Sequence, residues 1–269
     1  MPEPQAIVET RNLSKSFKVV QAVDALNLTV NHGDVFGLLG PNGAGKTTTI
    51  KMMTTLLSPT SGDASVAGFS IFKQQSQVRR SIGYVPQLLS ADGTLTGYEN
   101  LLIFSKLYDV PGKEREQRVR GALAFMGLEE AANRMARTYS GGMIRRLEIA
   151  QSVLHRPRVL FLDEPTVGLD PLARNAVWQH IMQLRDEHDM TIILTTHLME
   201  EADALCNRVA IMHRGKLVAL DSPATLKASI GKEDASLDDV FVHFTGDKLE
   251  TGATYRDTAR TRRSARRLG

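Results

Sequence analysis

The amino-acid sequence predicts an α/β domain with a helical insertion and a short helical extension, and three observations predict it. Apolar runs of strand length, Val35–Leu39, Val159–Leu162 and Ile192–Leu194, alternate with longer stretches that read as helix. Between Thr96 and His155 that alternation stops, and helical stretches alone are read. A Gly-rich turn, Gly40–Gly45, joins the first apolar run to a helix.

Taken in order, Leu26-Asn27-Leu28-Thr29-Val30 alternates at the period of a half-buried strand. Val35–Leu39 is an uninterrupted strand that enters the Gly-rich turn, and the helix after it is expected to reach Leu57, where Ser58-Pro59-Thr60-Ser61-Gly62 ends it. Short strands are expected at Ala64–Ala67 and Ile82–Val85, with a helix near Gln77–Arg80 between them. The insertion reads as helices Tyr98–Leu107, Lys113–Met126 and Gly142–Leu154, the second opened by Pro111-Gly112. Alternation resumes with strand Arg158–Leu162, helix Pro171–Glu187, strand Thr191–Thr195, helix Met199–Leu205 and a hairpin turning at Arg214-Gly215. The main domain is therefore expected over 1–222, with the insertion at about 88–156, a helical extension at 223–250 and an Arg-rich, solvated tail at 251–269.

Composition narrows the function classes. A chain of 269 residues, 42% hydrophobic and 23% charged, buries a core without staples and is neither collagen-like nor wholly disordered. The single Cys206 forms no internal disulfide, no Cys/His cluster has zinc spacing, and the start MPEPQAIVET lacks an apolar signal core. No apolar stretch approaches the roughly 18 residues that cross a bilayer, so a cytoplasmic chain is expected. Net charge is +3, but 251–269 holds six arginines and one aspartate, which leaves 27 basic against 29 acidic residues elsewhere. The body is no polycation.

Gly40-Pro41-Asn42-Gly43-Ala44-Gly45-Lys46-Thr47 fits G-x-x-x-x-G-K-[ST] between a strand and a helix. Backbone N–H groups of such a turn close around phosphate oxygens, and the following helix adds its positive end through Thr48. Lys46 supplies a point charge for the β- and γ-phosphates, and the Thr47 hydroxyl can ligate Mg²⁺. The strand Val159–Leu162 delivers two consecutive carboxylates at its C-terminal end, where parallel sheets place ligand chemistry. Asp163 is positioned to hold Mg²⁺, whereas Glu164 is the better group to polarise an attacking water, because a metal-bound carboxylate is a poor base. Alone, such a pair also reads as a helix-start signal.

Between these two sites lies Tyr139-Ser140-Gly141-Gly142-Met143, immediately before a helix. With it the chain, from about Ile7 to Leu220, resembles the nucleotide-binding subunits of ABC transporters, and so a P-loop NTPase core with a mixed sheet. The resemblance implies that Ser140, Gly141 and Gly142 form the signature motif, which binds the γ-phosphate of ATP held by a second subunit in a head-to-tail dimer. Two glycines and a hydroxyl at a helix start also suit an anion physically. It further implies that Gln87, in Tyr84-Val85-Pro86-Gln87, senses Mg²⁺ and water, and that His197 contacts the γ-phosphate. Asp170, in Gly168-Leu169-Asp170, then lies in the loop that spans the dimer interface; a helix N-cap before Pro171 is its other reading. Phe17 aligns with the aromatic that stacks on adenine, with a buried core Phe as the alternative.

One position departs from the pattern: Met143 stands where most of the family has Gln. That Met, together with Ser236-Leu237-Asp238-Asp239-Val240-Phe241-Val242-His243-Phe244-Thr245-Gly246, resembles the branch of daunorubicin-type drug-resistance exporters. The resemblance implies an ATPase, with ATP and Mg²⁺, at the cytoplasmic face of the cell membrane. It would power a separate membrane-spanning permease that exports drugs, antibiotics or other hydrophobic compounds. A soluble ABC ATPase acting on ribosomes or nucleic acid is the alternative, although such proteins usually carry tandem units or a long coiled-coil insertion. The tail from Arg256 to Arg267 is read as solvated, with anionic lipid as its other partner ahead of nucleic acid.

Overall fold

The central apolar runs are buried on both faces, and this dictates the layers. The structure, a computed structural model, describes residues 5–247. Strands β1 (Ala6–Phe17), β2 (Val20–Asn31), β4 (Ser61–Val66) and β5 (Phe69–Ser70) form an antiparallel sheet in the order β2-β1-β4-β5. Strands β3 (Val35–Leu39), β6 (Ile82–Val85), β7 (Val159–Asp163), β8 (Thr191–Thr196), β9 (Arg208–His213) and β10 (Lys216–Asp221) form a second sheet, β10-β9-β3-β8-β7-β6, parallel except for β10 at its edge.

Side chains along the parallel strands alternate between two cores. Phe36, Leu38, Val159, Phe161 and Ile193 face the antiparallel sheet together with helices α1 (Lys46–Met53) and α2 (Gln75–Ser81). Val35, Leu39, Leu160, Leu162, Ile192 and Leu194 face the other side. There they meet α5 (Gly141–Val153), α6 (Pro171–His188), α7 (Met199–Leu205) and α9 (Leu237–Thr245). Burial of each such side chain contributes about 1.5–3 kcal/mol, so the run of five buried residues in β3 fixes the strand that ends in the Gly-rich turn.

The insertion comprises α3 (Gly97–Leu107), α4 (Gly112–Phe125), a 3₁₀ turn at Ala136–Thr138, and α5. Thr96 and Glu99 cap α3 reciprocally, the side chain of each accepting the other's backbone N–H. As expected, no strand is assigned there among the described residues; the β pairing is one isolated bridge, Thr96 to Met135. Two helices, α8 (Pro223–Ser229) and α9, make up the C-terminal extension, and α9 buries Leu237, Val240 and Phe241. The Arg-rich tail at 251–269 lies outside the described residues.

Two expectations need correction. The first helix ends at Met53 rather than Leu57: the Thr54 hydroxyl donates to Ile50 O at 2.9 Å, Thr55 turns left-handed at φ 62, and the N–H groups of Leu56 and Leu57 fold back on Lys51 O. Strand β1 has no forerunner in the sequence reading, and β2 begins six residues before Leu26. Repeated register shifts, with left-handed Asn12 and Ala25, break the period of two that would have announced them.

Candidate functional site

The Gly-rich turn closes on itself because its glycines stand where no side chain fits. Gly40 has φ 152 and Gly45 φ 104, and a Cβ there would come within 2.2 Å of Met212 O and 2.5 Å of Ala22 O. The β9–β10 hairpin supports the loop from below through the Gly215 N–H, which donates to Ala44 O at 3.1 Å. A cavity of about 630 Å³ opens over the loop, lined by Asn42, Gly43, Ala44, Gly45, Lys46, Thr47 and Thr48, by Phe17, Val20, Gln21 and Ala22, and by Gln87, Glu164 and Arg214. Phe17 is 47% exposed, which excludes the core reading, and Lys15 Nζ lies 5.1 Å from its ring centre.

Lys46 begins α1 and is 4% exposed. Its ammonium donates to Gly40 O at 2.7 Å and Pro41 O at 3.2 Å, and lies 3.4 Å from Glu164 Oε1. Burial pushes the Lys46 ammonium below its ordinary value, and the Glu164 carboxylate offsets this in part.

The two carboxylates after β7 have different partners. Asp163 Oδ1 accepts from the Thr47 hydroxyl at 2.9 Å and the Thr195 hydroxyl at 2.6 Å. Glu164 sits in left-handed backbone at φ 49, and its N–H donates to Thr195 Oγ1 at 2.9 Å. Its Oε2 accepts from His197 Nδ1 at 3.0 Å, with Gln87 Nε2 at 3.5 Å. A carboxylate can only accept, so Nδ1 carries the imidazole proton in this bond. Burial raises the Glu164 carboxyl, but the His197 hydrogen bond and the Lys46 charge outweigh it, and the net shift is downward.

This donor set fits a hard cation beside a polyphosphate. Thr47 and Asp163 put two oxygens side by side, and among the described residues no group of three or more His, Cys, Asp or Glu could hold a metal by itself. Such a partial oxygen shell suits an ion that completes its coordination with phosphate oxygens and water.

The remaining expected residues lie elsewhere. Ser140, Gly141, Gly142 and Asp170 do not line the cavity. Ser140 caps α5, accepting the Met143 N–H at 3.3 Å, and a Cβ on Gly142 would come within 2.8 Å of Ala173 Cβ. Asp170 caps α6 by accepting the Ala173 N–H at 2.9 Å, ahead of Pro171, so its N-cap reading holds.

Sequence reasoning missed Thr195, whose hydroxyl bonds the Asp163 carboxylate and the Glu164 backbone N–H, and the buried pair Arg145 and Glu148. Arg145 donates to Pro86 O at 2.7 Å and Gln87 O at 2.9 Å, while Glu148 accepts from the N–H groups of Ser90 and Ala91. It also missed Glu201, buried and bonded to the Thr166 hydroxyl at 2.8 Å and Trp178 Nε1 at 3.0 Å. Nothing in their spacing marks these residues; they are found by folding.

A nucleotide cradle and a cation-ready Thr–Asp pair on one largely parallel sheet, with a Gly-rich helix start in the helical insertion, define a class of ATP-hydrolysing proteins. The ABC transporter family model matches residues 23–167, and the chain belongs to that family. It is similar to the daunorubicin/doxorubicin resistance ATP-binding protein DrrA of Streptomyces peucetius, at 43% identity over 85% of this chain and 69% of that one. It is also similar to the linearmycin resistance ATP-binding protein LnrL of Bacillus subtilis (strain 168), at 38% identity over 84% and 72%. Among solved structures, an ATP-binding subunit of an ABC transporter aligns at TM-score 0.78 and 29% identity, over 89% of this chain and 99% of that one. The ATP-binding cassette MJ0796, a dimer in a post-hydrolysis state with ADP and Pi, aligns at 0.71 and 27% over 80% and 98%.

Proposed function

We propose that this chain is the ATP-hydrolysing subunit of an exporter, held at the cytoplasmic face of the membrane by a separate membrane-spanning permease and moving drugs, antibiotics or other hydrophobic compounds. The resistance proteins named above, all ATP-binding proteins by name, support the cargo class. No helix among the described residues is long and apolar enough to cross a membrane. A role on ribosomes or nucleic acid has no support among these relatives. Contact of the tail with anionic lipid rests on charge alone.

The observation that carries the reading is Glu164, ionised and held by His197 beside the buried Lys46 at the mouth of the phosphate loop. The turn from Gly40 to Gly45 binds phosphate through the backbone N–H groups of its residues other than Pro41, Lys46 neutralises it, and Phe17 offers its exposed ring to the adenine. Thr47, Asp163 and Gln87 would hold Mg²⁺, which when bound neutralises charge on the phosphates. Glu164 accepts the proton of the attacking water, with Gln87 and His197 fixing its carboxylate and His197 reaching the γ-phosphate. Ser140, Gly141 and Gly142 close on the γ-phosphate held by a second copy, and Asp170 lies at that interface.

Light scattering of purified Glu164→Gln tests this. The variant is expected to bind ATP, lose nearly all hydrolysis and form a dimer with ATP but not with ADP, and Ser140→Arg added to it is expected to abolish that dimer. Dimerisation that ignores nucleotide, or that survives Ser140→Arg, would refute the closure in trans.

A further inference from the structure

Arg214 stands at the tip of the β9–β10 hairpin, left-handed at φ 49 and followed by Gly215 at φ 80. The tip is tied to the phosphate loop on one side and to β2 on the other: Gly215 N–H donates to Ala44 O, and Gly215 O accepts the Asp24 N–H at 2.8 Å. It cannot drift from the loop without breaking both bonds. The Arg214 side chain lines the same cavity as Phe17, Gln21 and Lys46.

That guanidinium already has a partner. Its Nη2 lies 3.0 Å from Asp247 Oδ2, just beyond the end of α9, and His213 Nε2 lies 2.9 Å from the same oxygen. Thr245 Oγ1 accepts the Asp247 N–H at 3.2 Å, and Phe241 meets the His213 ring edge-on at 5.9 Å. The C-terminal extension thus reaches back to a cation of the nucleotide cavity. Side-chain exposures of 79% for Arg214 and 47% for Asp247 leave the pair solvated and exchangeable.

We propose that Arg214 is a further binding residue for a nucleoside polyphosphate, and that Asp247 competes with the nucleotide for it, so that the C-terminal extension sets nucleotide affinity. The inference rests on the cavity being the ATP site. A polyphosphate carries several negative charges against the single one on Asp247, so the guanidinium turns toward it when it binds. His213 keeps hold of Asp247 while Arg214 swings, so the extension stays docked. Lys46, fixed and buried, is a permanent part of the cradle; Arg214 is the adjustable part.

The experiment is displacement of trinitrophenyl-ATP by ATP from the full-length chain and its Lys46→Ala, Arg214→Ala, Asp247→Asn and Arg214→Ala/Asp247→Asn variants, at low and high salt. Arg214→Ala is expected to weaken ATP binding about two- to fivefold, and Asp247→Asn to tighten it by a similar factor, as sharing of one exposed ion pair requires. Both effects should shrink in about 1 M salt. In the double variant the gain from Asp247→Asn should vanish, because there is no guanidinium left to release. Wild-type affinity in Arg214→Ala, or a gain from Asp247→Asn that persists without Arg214, would overturn the proposal. Unchanged binding in Lys46→Ala would instead sink the ATP-site reading beneath it.

Discussion

Removing the Arg145 side chain should cost this protein more than any surface change, because of what the guanidinium holds. Arg145 is 3% exposed and pairs with Glu148, its side chain 1% exposed, at 3.1 Å. It also satisfies two carbonyls, on Pro86 and Gln87. Burial lowers the Arg145 value and raises that of Glu148, each offset in part by its partner. Breaking a buried pair from one side leaves an uncompensated charge and costs about 3–5 kcal/mol. Against a total stability of about 5–15 kcal/mol that is a large fraction. Arg145→Ala is therefore expected to lower the urea midpoint sharply at unchanged slope, read by circular dichroism. Glu148→Gln keeps an acceptor for the N–H groups of Ser90 and Ala91 but leaves the buried Arg145 guanidinium without its counter-charge, so it too should cost about 3–5 kcal/mol. Since Arg145 grips the loop on which Gln87 sits, turnover in folded Arg145→Ala should fall further than nucleotide affinity. A stability within about 0.5 kcal/mol of wild type, the range of ordinary surface changes, would refute the reasoning.

Two further outcomes are expected. Lys46→Ala should weaken ATP binding by about 100-fold or more, near 3 kcal/mol, because it deletes a buried, hydrogen-bonded charge; titration calorimetry showing wild-type affinity would contradict the cradle. Burial holds the Glu201 carboxyl above its ordinary value of 4.5, despite hydrogen bonds from Thr196, Thr166 and Trp178 that lower it. The fold therefore prefers the protonated form: wild-type stability is full below about 4.5 and declines as pH rises through the raised folded value. Glu201→Gln removes that slope, so its melting temperature should gain on wild type as pH rises above the ordinary carboxyl value of 4.5, and a gap that does not change with pH would contradict this.

The legible part of the fold was its parallel half. Val35–Leu39, Val159–Leu162 and Ile192–Leu194 are buried on both faces, and continuous apolar runs of that length have few other uses. The antiparallel half was hidden, because β1 buries adjacent pairs such as Ile7-Val8 and Leu13-Ser14 around a bulge instead of alternating. The same division holds at the site. Residues whose spacing along the chain is fixed by the backbone's approach to an anion, Gly40 to Thr47 and Ser140 to Gly142, announce themselves. Residues that act across the sheet do not: Thr195 lies 32 positions from Asp163, and Arg145 lies 58 from Gln87. Their partnerships exist only after folding.

The two consecutive carboxylates show why the fold matters beyond supplying residues. On an undistorted strand Asp163 and Glu164 would point to opposite faces of the sheet, and one of them would miss the cavity. The left-handed turn at Glu164 breaks that alternation, a conformation that costs a non-Gly residue on the order of 1–3 kcal/mol and persists only when its surroundings hold it. Thr195 does the holding: its hydroxyl has one proton, which goes to Asp163, and a free lone pair, which takes the Glu164 N–H. The same atom thus fixes the direction of both side chains while giving them different partners. Asp163 is left among hydroxyls, beside Thr47, where a hard cation fits, and Glu164 is turned to Lys46 and His197. Two like charges in adjacent residues would otherwise repel and compete for one ion. In the proposed mechanism the strained backbone separates the group that would bind the cation from the group that would accept a proton, and that separation lets a pair of adjacent acids perform two tasks.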